Sequence, residues 1–423
     1  MKSYKKFFNN YILILTPGIL TAMTGVGVGD LATAGFAGNK LGVAVLWAVL
    51  VGAAMKYILS EGLTRWQLAT QTTLLEGCIR HLKKPFLVFF VLYFFPWSYF
   101  VGGALISACG VTFSAMMPFK LDPWIGKLIF GALHSFLAVL LILLGGYKLF
   151  CRIMSFCAVL LFACVVYCLF HLDFSWLEVG KGLVVPRAPT LDADSLSWVV
   201  ALIGGVGGTL TILCYGYWIQ EEGRSGMKFL RDCRIDLFIG YFFTALFGII
   251  MVIIGSRLNI SEKGLGLIIG ASEHLGQKAG WPLKYIFLLG AWGAVFSSLL
   301  GVWHCVPAIF SDCVCQLKGI KKADVVLECP AYKKYYNFYL WLIALVPLIA
   351  TAFSFKDVQK MYSIVGACFI PMLACVLLYL NSKRVGVLDS KYRNRNLTIV
   401  VLWLITIFFI TLGFMQIKKQ FGF

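Results

Sequence analysis

Charged side chains are scarce in this sequence. Asp, Glu, Lys and Arg together make up 13% of the 423 residues, whereas hydrophobic residues make up 60% and the mean hydropathy is +0.86. An ordinary soluble protein carries far more polar surface than this composition supplies. Because apolar runs of about 20 residues, long enough to cross a bilayer as helices, recur along the chain, we expect one all-α transmembrane domain over residues 1–423.

Groupings of residues that carry catalysis are also missing. No pair of carboxylates and no Cys/His cluster in the sequence suggests catalysis, so we expect neither an enzyme nor a permanently bound cofactor. The run Gly25, Gly27, Gly29 does not follow a strand, which excludes a Rossmann nucleotide site. The net charge of +18 comes largely from Lys and Arg in loops, so nucleic acid is not an expected partner.

Apolar runs bounded by Gly, Pro and charge clusters predict eleven membrane-spanning helices. The first run continues unbroken past Pro17 to Asp30, which favours a retained span over a cleaved signal peptide. The predicted spans are residues 11–36, 41–60, 86–112, 124–147, 150–171, 196–219, 235–256, 283–312, 336–354, 359–381 and 397–416.

The orientation of these spans follows from the basic residues. The larger share of the 37 Lys and Arg falls in the N-terminal segment and in every second loop after it. The positive-inside rule therefore predicts a cytoplasmic N-terminus and an external C-terminus. We expect a multi-pass protein of a plasma membrane or bacterial inner membrane, monomeric and in contact with lipid.

Two of the predicted spans are interrupted by glycine. Gly25–Thr33 reads Gly-Val-Gly-Val-Gly-Asp-Leu-Ala-Thr in the first span, and Gly204–Thr211 is a similar run in the sixth. Glycine-interrupted spans at corresponding positions of two halves are typical of inverted-repeat transporters. Because the halves hold an odd number of spans, five, they insert with opposite topology. The predicted repeats are residues 11–171 and 196–381, followed by an eleventh helix at 397–416.

Broken helices predict a substrate site near the middle of the membrane. Unwound backbone is tolerated at that depth only where protein or a watery cavity satisfies its polar groups. Carbonyl groups at a helix end can coordinate a cation. We therefore expect ligands from the backbone near Val26 and Gly27 in the first break and near Gly207 and Gly208 in the second.

Asp30 follows the first break directly. An ionisable side chain at membrane depth is a functional candidate, and a bound cation could balance its charge. Asp30 could also be the N-cap of a half-helix that begins at Leu31. The two roles are compatible, and the sequence leaves both open.

Hydroxyl, imidazole and amine groups supply weaker candidates. Thr211 is a candidate ligand, and further candidates are Thr209, Ser363 and Ser297, each of which could instead cap a helix, bond to the preceding turn or pack. His304 is a candidate gating or proton-transfer group, with a hydrogen-bonded packing role as the alternative. Lys56 is expected to snorkel to the cytoplasmic surface.

Several motifs resemble the natural resistance-associated macrophage protein (NRAMP) family of divalent-metal transporters, a branch of the LeuT-fold superfamily. The resemblance covers most of the chain. It implies a LeuT-type fold of two inverted five-helix repeats in which helices 1 and 6 are discontinuous. The motifs that carry it are Thr16–Ala22 with Gly29–Thr33, Leu46-Trp47, Leu68–Thr70 with Leu74–Glu76, Ser297-Ser298 with Gly301, and Ile370-Pro371.

The departures from the family pattern fall on its working residues. The family's metal-binding Asp corresponds to Gly27 here, and its Asn position is occupied by Asp30. The metal-contacting Met of helix 6 is replaced by Thr211, the following His by Leu213, and the glutamine of helix 10 by Ser363. Replacing a thioether by hydroxyls shifts the preference toward hard, hydrated ions, and the missing His argues against family-style proton coupling.

The sequence therefore supports three hypotheses. The first is a secondary transporter of a divalent cation of the Mn²⁺, Mg²⁺ or Fe²⁺ class that works by alternating access, with or without proton symport. The second is a transporter of a small organic solute, such as an amino acid or amine, held by the glycine-rich break. The third is a membrane sensor that keeps the fold without transporting.

Overall fold

The computed structural model describes residues 17–119, 121–187, 193–257, 265–320 and 329–421. Within these ranges the chain is helical and contains no strand, as the hydropathy pattern predicts. The predicted start of the first span, residues 11–16, and parts of three predicted loops, residues 188–192, 258–264 and 321–328, lie outside the described residues.

The first half of the chain begins with a broken helix. A short helix, α1, covers residues 17–25, and α2 resumes at Val28–Leu41 after two non-helical residues. The remaining helices of this half are α3 (Leu46–Thr70), α4 (Leu74–Ser114) and α5 (Pro123–Phe170). Two of them change direction at left-handed residues: Lys83 (φ 68°) in α4 and Gly146 (φ 58°) in α5.

The second half repeats this pattern. Its broken helix consists of α7 (Ala193–Gly205) and α8 (Ile212–Glu221). The long helices that follow are α9 (Leu230–Ser256), α11 (Trp281–Leu317), α12 (Pro330–Leu345) and α13 (Phe355–Leu380), and α14 (Asn396–Phe421) comes last. Two short helices, α6 (Trp176–Val184) and α10 (Leu265–Ala279), lie in the connections.

Each of the eleven predicted spans falls on helix in the described part of the chain. Seven helices there are long and apolar enough to cross a membrane. The two spans predicted at residues 124–147 and 150–171 both fall on α5, which bends at Gly146 close to where they meet. The helix of the second span, α3, continues past the predicted end of the span at residue 60 and ends at Thr70. Glu61 and Arg65 form an ion pair 3.3 Å apart on this continuing part of the helix.

Helix α11 lies in the interior of the bundle, where it packs against α4, α5 and α12, while α9 packs against α2 and α3. Many large apolar side chains point outward instead. Examples with more than 60% exposure are Phe89, Leu92, Leu144, Phe156 and Val159. An exposed apolar belt of this size on helices of membrane-spanning length indicates a surface that lipid covers.

Candidate functional site

The first helix break places Asp30 inside a helix rather than at its cap. Gly27 is the N-cap of α2, and no side chain caps this end. Asp30 therefore lies in the first turn, where the positive end of the helix dipole favours a carboxylate. The predicted N-cap role at a helix starting at Leu31 is wrong, because the helix begins three residues earlier, at Val28.

The second break is built by two glycines. Gly207 and Gly208 have φ angles of 81° and 75°, a left-handed conformation that other residues adopt only with strain. The next helix, α8, follows Thr211, whose side chain makes no capping bond. The predicted capping role of Thr211 is therefore not found, and its hydroxyl has no partner in the described structure.

The two breaks touch each other. A Cβ placed on Gly25 would lie only 2.8 Å from the carbonyl carbon of Gly207, so only glycine fits at this approach. From the other side, the Gly207 N–H donates to Asp30 Oδ2 across 3.4 Å. The carboxylate of α2 thus satisfies a backbone donor freed by the break between α7 and α8.

Lys56 lies beside the same break and is completely buried. Its Nζ donates to the carbonyl oxygens of Gly204 at 2.9 Å and Val206 at 3.1 Å. The expectation that Lys56 snorkels to the cytoplasm is wrong. Because α3 extends to Thr70, Lys56 occupies the middle of that helix and faces the unpaired carbonyls at the end of α7.

A cavity of about 90 Å³ lies between the breaks and the helices α4, α11 and α13. Its polar lining includes Thr24 and Thr211 from the broken helices, Ser298 from α11, and Gln359 and Tyr362 from α13. Val101 and Leu105 of α4 are among its apolar walls. No Asp, Glu, His, Cys or Met belongs to the lining that the described residues form.

Several polar atoms around this cavity are buried without a hydrogen-bond partner. They are Thr24 Oγ1, Thr211 Oγ1 and the amide oxygen and nitrogen of Gln359. Asp30 Oδ1, which does not line the cavity, is also buried without a partner. A buried polar atom without a partner costs about 1–3 kcal/mol. Four side chains of this kind within one small region indicate a place for a polar or charged ligand.

The predicted ligands divide between the cavity wall and its surroundings. Gly27, Thr209, Thr211 and Ser363 line the cavity, whereas Asp30, Val26, Gly207 and Gly208 do not. Asp30 still acts electrostatically on Tyr362, a lining residue, and its neighbour Gly29 forms part of the wall.

The other predicted hydroxyls already have partners. Thr209 Oγ1 accepts a hydrogen bond from Trp97 Nε1 at 3.2 Å, and Ser363 Oγ donates to the Gln359 carbonyl at 2.9 Å. Ser297 Oγ donates to the Ala294 carbonyl in the preceding turn of α11 and does not line the cavity. Its neighbour Ser298 does, and it donates to the Thr24 carbonyl at 2.8 Å.

His304 lies away from the cavity, within an aromatic cluster. Its ring stacks on Phe150 with 4.1 Å between centroids, and Trp218 Nε1 donates to His304 Nδ1 at 3.3 Å. These contacts correspond to the packing alternative rather than to a gating or proton-transfer group. Over the described ranges, no three residues of the types His, Cys, Asp and Glu cluster in a way that could hold a metal ion.

A second polar cluster fixes the start of α1. Asp236 of α9 accepts the Gly18 N–H at 2.9 Å, and its other oxygen accepts from Tyr215 and from Arg224, each at 3.1 Å. Arg224 also pairs with Glu222 at 2.6 Å. Burial alone would lower the pKa of Arg224, but the carboxylates of Asp236 and Glu222 raise it, so the guanidinium stays charged.

Sequence reasoning missed Gln359, Tyr362 and Thr24 at the cavity. A signal for the first two exists: Gln359, Tyr362, Ser363 and Gly366 are spaced by three and four residues, which places them on one face of α13. That face meets the second break, since a Cβ on Gly366 would lie 3.0 Å from Thr209 Oγ1.

The fold is shared with solved transporter structures of low sequence identity. The manganese transporter of Eremococcus coleocola, in complex with an aromatic bis-isothiourea substituted compound, is 16% identical, with a TM-score of 0.76 over 98% of this chain and 88% of that chain. MhsT in complex with L-phenylalanine is 14% identical, with a TM-score of 0.64 over 94% and 97%. Mhp1, a nucleobase-cation-symport-1 family transporter, is 14% identical, with a TM-score of 0.61 over 96% and 93%.

These likenesses confirm the predicted LeuT-type fold with its two discontinuous helices. The sequence has no match among curated proteins. The family model for natural resistance-associated macrophage protein-like proteins (Nramp), however, matches residues 18–418, nearly the whole chain. Because this family model covers nearly the whole chain and the fold agrees with it, the chain belongs to the Nramp family.

Proposed function

We propose that this protein is a transporter, not an enzyme, and that it moves a hard divalent cation across the membrane by alternating access. The cavity between the two breaks is its substrate site in an occluded state. Membership of the Nramp family and the shared fold with a manganese transporter support this proposal.

The observation that carries the proposal is the set of unpartnered polar atoms at the cavity. The hydroxyls of Thr24 and Thr211 and the amide oxygen of Gln359 are neutral oxygen ligands of the kind that Mg²⁺ and Mn²⁺ accept. The Gln359 NH₂ group cannot bind a cation, but it can donate to a water that does. A cation with bound water would satisfy all of these atoms together.

The lining of the cavity, as the described residues form it, favours a hard ion. The lining contains no sulfur or imidazole ligand that would select a soft transition metal. Asp30, the neighbour of the lining residue Gly29, supplies negative charge near the cavity. We propose that the ion binds Asp30 and the backbone at Val26, Gly27, Gly207 and Gly208 when the breaks move.

The transport cycle follows from the two breaks. Half-helices that meet at Gly25 and Gly207 can tilt independently of the outer helices, which opens the cavity to one side at a time. Since Leu213 replaces the family's histidine and His304 is packed among aromatic rings, the proposal includes no proton-coupled step. We retain the cytoplasmic N-terminus and the repeats at residues 11–171 and 196–381 as parts of the proposal.

Proteoliposomes test this function directly. Vesicles that enclose dyes sensitive to Mn²⁺ or Mg²⁺ should show uptake by the wild type, and Gln359→Ala and Asp30→Ala should each reduce it. Losing one partner of a charged ligand costs about 1.5–3 kcal/mol, or roughly tenfold or more in affinity. Ser297→Ala, one residue from Ser298 but off the cavity, is the matched control and should transport normally.

Parallel assays separate the alternatives. Uptake of a radiolabelled amino acid or amine without any divalent flux would favour an organic solute. Absence of flux for every substrate class, from protein shown to be folded, would favour a sensor. Divalent uptake that Gln359→Ala leaves unchanged would place the substrate elsewhere.

A further inference from the structure

Lys56 occupies a place that would otherwise suit a free cation. Its ammonium group is 0% exposed and donates to two backbone carbonyls, those of Gly204 and Val206. These carbonyls lie where α7 ends, and the last carbonyls of a helix lack intrahelical partners and form its negative pole. Backbone carbonyls at the end of a helix are also the groups that can coordinate a free cation.

The surroundings supply the charge that such a cation needs. Asp30 is the charged group that acts on Lys56 within the described structure. Asp30 also accepts the Gly207 N–H, so the peptide segment from Gly204 to Gly207 lies between a carboxylate and an ammonium group. The aliphatic stem of Lys56 fills the space beside Gly207, where a Cβ would lie 3.6 Å from Lys56 Cγ.

We infer that Lys56 is a tethered cation that permanently fills a monovalent-cation site at the second helix break. With this site filled from within the chain, the protein needs no monovalent co-ion there, and its folded state is indifferent to Na⁺ and K⁺. This inference does not depend on the divalent transport proposed above. Its test therefore uses no divalent ion.

The experiment is a cation rescue of Lys56→Ala, which removes the side chain beyond Cβ and opens a space next to the carbonyls. Wild type, Lys56→Ala and Lys127→Ala are purified with a chelator, and thermal unfolding is followed in NaCl, KCl, NH₄Cl, methylammonium chloride and choline chloride at equal ionic strength. Lys127 is the matched control, because it also donates to a carbonyl, that of Phe353 at 3.2 Å, but from an exposed position.

We expect the wild type and Lys127→Ala to melt at the same temperature in all five salts. Lys56→Ala should melt lower in choline, which is too large for the site, and its Tm should rise by several degrees with at least one small cation. Such binding stabilises in proportion to occupancy. Lys56→Met, which fills the space without a charge, should show no rescue by any cation.

Three results would overturn the inference. One is a Lys56→Ala protein with the same Tm in every salt, and another is a wild type that Na⁺ or K⁺ stabilises specifically. The third is a Lys56→Ala protein that cannot be recovered folded in any of the small-cation salts, because a free cation should replace the tethered one.

Discussion

The carboxylate of Asp30 in α2 accepts the backbone N–H of Gly207 across 3.4 Å, which links the two helix breaks of the bundle. One oxygen of this carboxylate is used in the link, and the other has no partner. Asp30 therefore has a structural role at the junction and an oxygen left for another task. The sequence left two roles open for Asp30, a ligand and a helix cap. In the structure, Asp30 bridges the two breaks instead of capping a helix, and the role of ligand remains a proposal.

Because the two breaks are in close contact, we expect alanine substitutions at Gly25 and Gly29 to have different effects on stability. In Gly25→Ala the new methyl group would meet Gly207 backbone at 2.8 Å, and overpacking against backbone costs about 1–3 kcal/mol. In Gly29→Ala the nearest atom is 3.7 Å away, and alanine is about 1 kcal/mol better than glycine inside a helix. Thermal unfolding in detergent should show a lower Tm for the first and an unchanged or higher Tm for the second. Equal losses would contradict the packing described here.

The buried charges Asp30 and Lys56 should be energetically coupled. Asp30→Asn leaves Lys56 without its counter-charge, and Lys56→Met leaves Asp30 without its counter-charge. Removing one member of a buried ion pair costs about 3–5 kcal/mol of folding free energy at most. The double variant Asp30→Asn with Lys56→Met should be less destabilised than the sum of the singles, by about 1–3 kcal/mol. Denaturation midpoints of the four proteins measure this coupling. The pair Asp30→Asn with Lys127→Met is the control, and it should be additive.

Gln359 predicts a conflict between stability and transport. Its two amide atoms lack partners, so Gln359→Leu should raise the free energy of unfolding by about 1 kcal/mol while it abolishes substrate binding. Gln67→Leu is the matched substitution, because Gln67 Nε2 donates to the Gly216 carbonyl at 2.5 Å, and its loss should lower stability. A destabilised Gln359→Leu protein would mean that the amide serves the fold rather than a ligand.

The cluster around Asp236 should determine how firmly α1 is held. Asp236→Asn weakens charge-assisted bonds to Gly18 and Arg224 and should cost about 1.5–3 kcal/mol. Limited proteolysis should then cut near the start of α1 faster than in the wild type. Asp232→Asn, on the same helix but only partly buried, should leave both Tm and proteolysis unchanged, and a similar effect of the two variants would contradict this role for Asp236.

Much of the fold could be predicted because its signals are local. Apolar runs of membrane-spanning length and the two glycine clusters lie in short windows, and α1/α2 and α7/α8 break where those clusters fall. Gly207 and Gly208 adopt a left-handed conformation, and two adjacent glycines in a sequence indicate that such a conformation is available to the chain.

The site was less predictable because its contacts join distant residues. Lys56 donates to carbonyls about 150 positions away along the chain, and no local pattern around Lys56 indicates these partners. Gln359 lies next to Asp357 and Lys360 near the start of α13, so the sequence there is typical of a polar, solvent-facing helix end. Only the approach of α13 to the second break shows that it faces the cavity.

The most direct test of the proposed cation site is the anomalous difference density of crystals soaked in Mn²⁺. We expect one peak inside the cavity, among Thr24, Thr211 and Gln359, that disappears in crystals of Gln359→Leu. A peak outside this cavity, or one that persists in the variant, would contradict the proposal that the cation is held between the two broken helices.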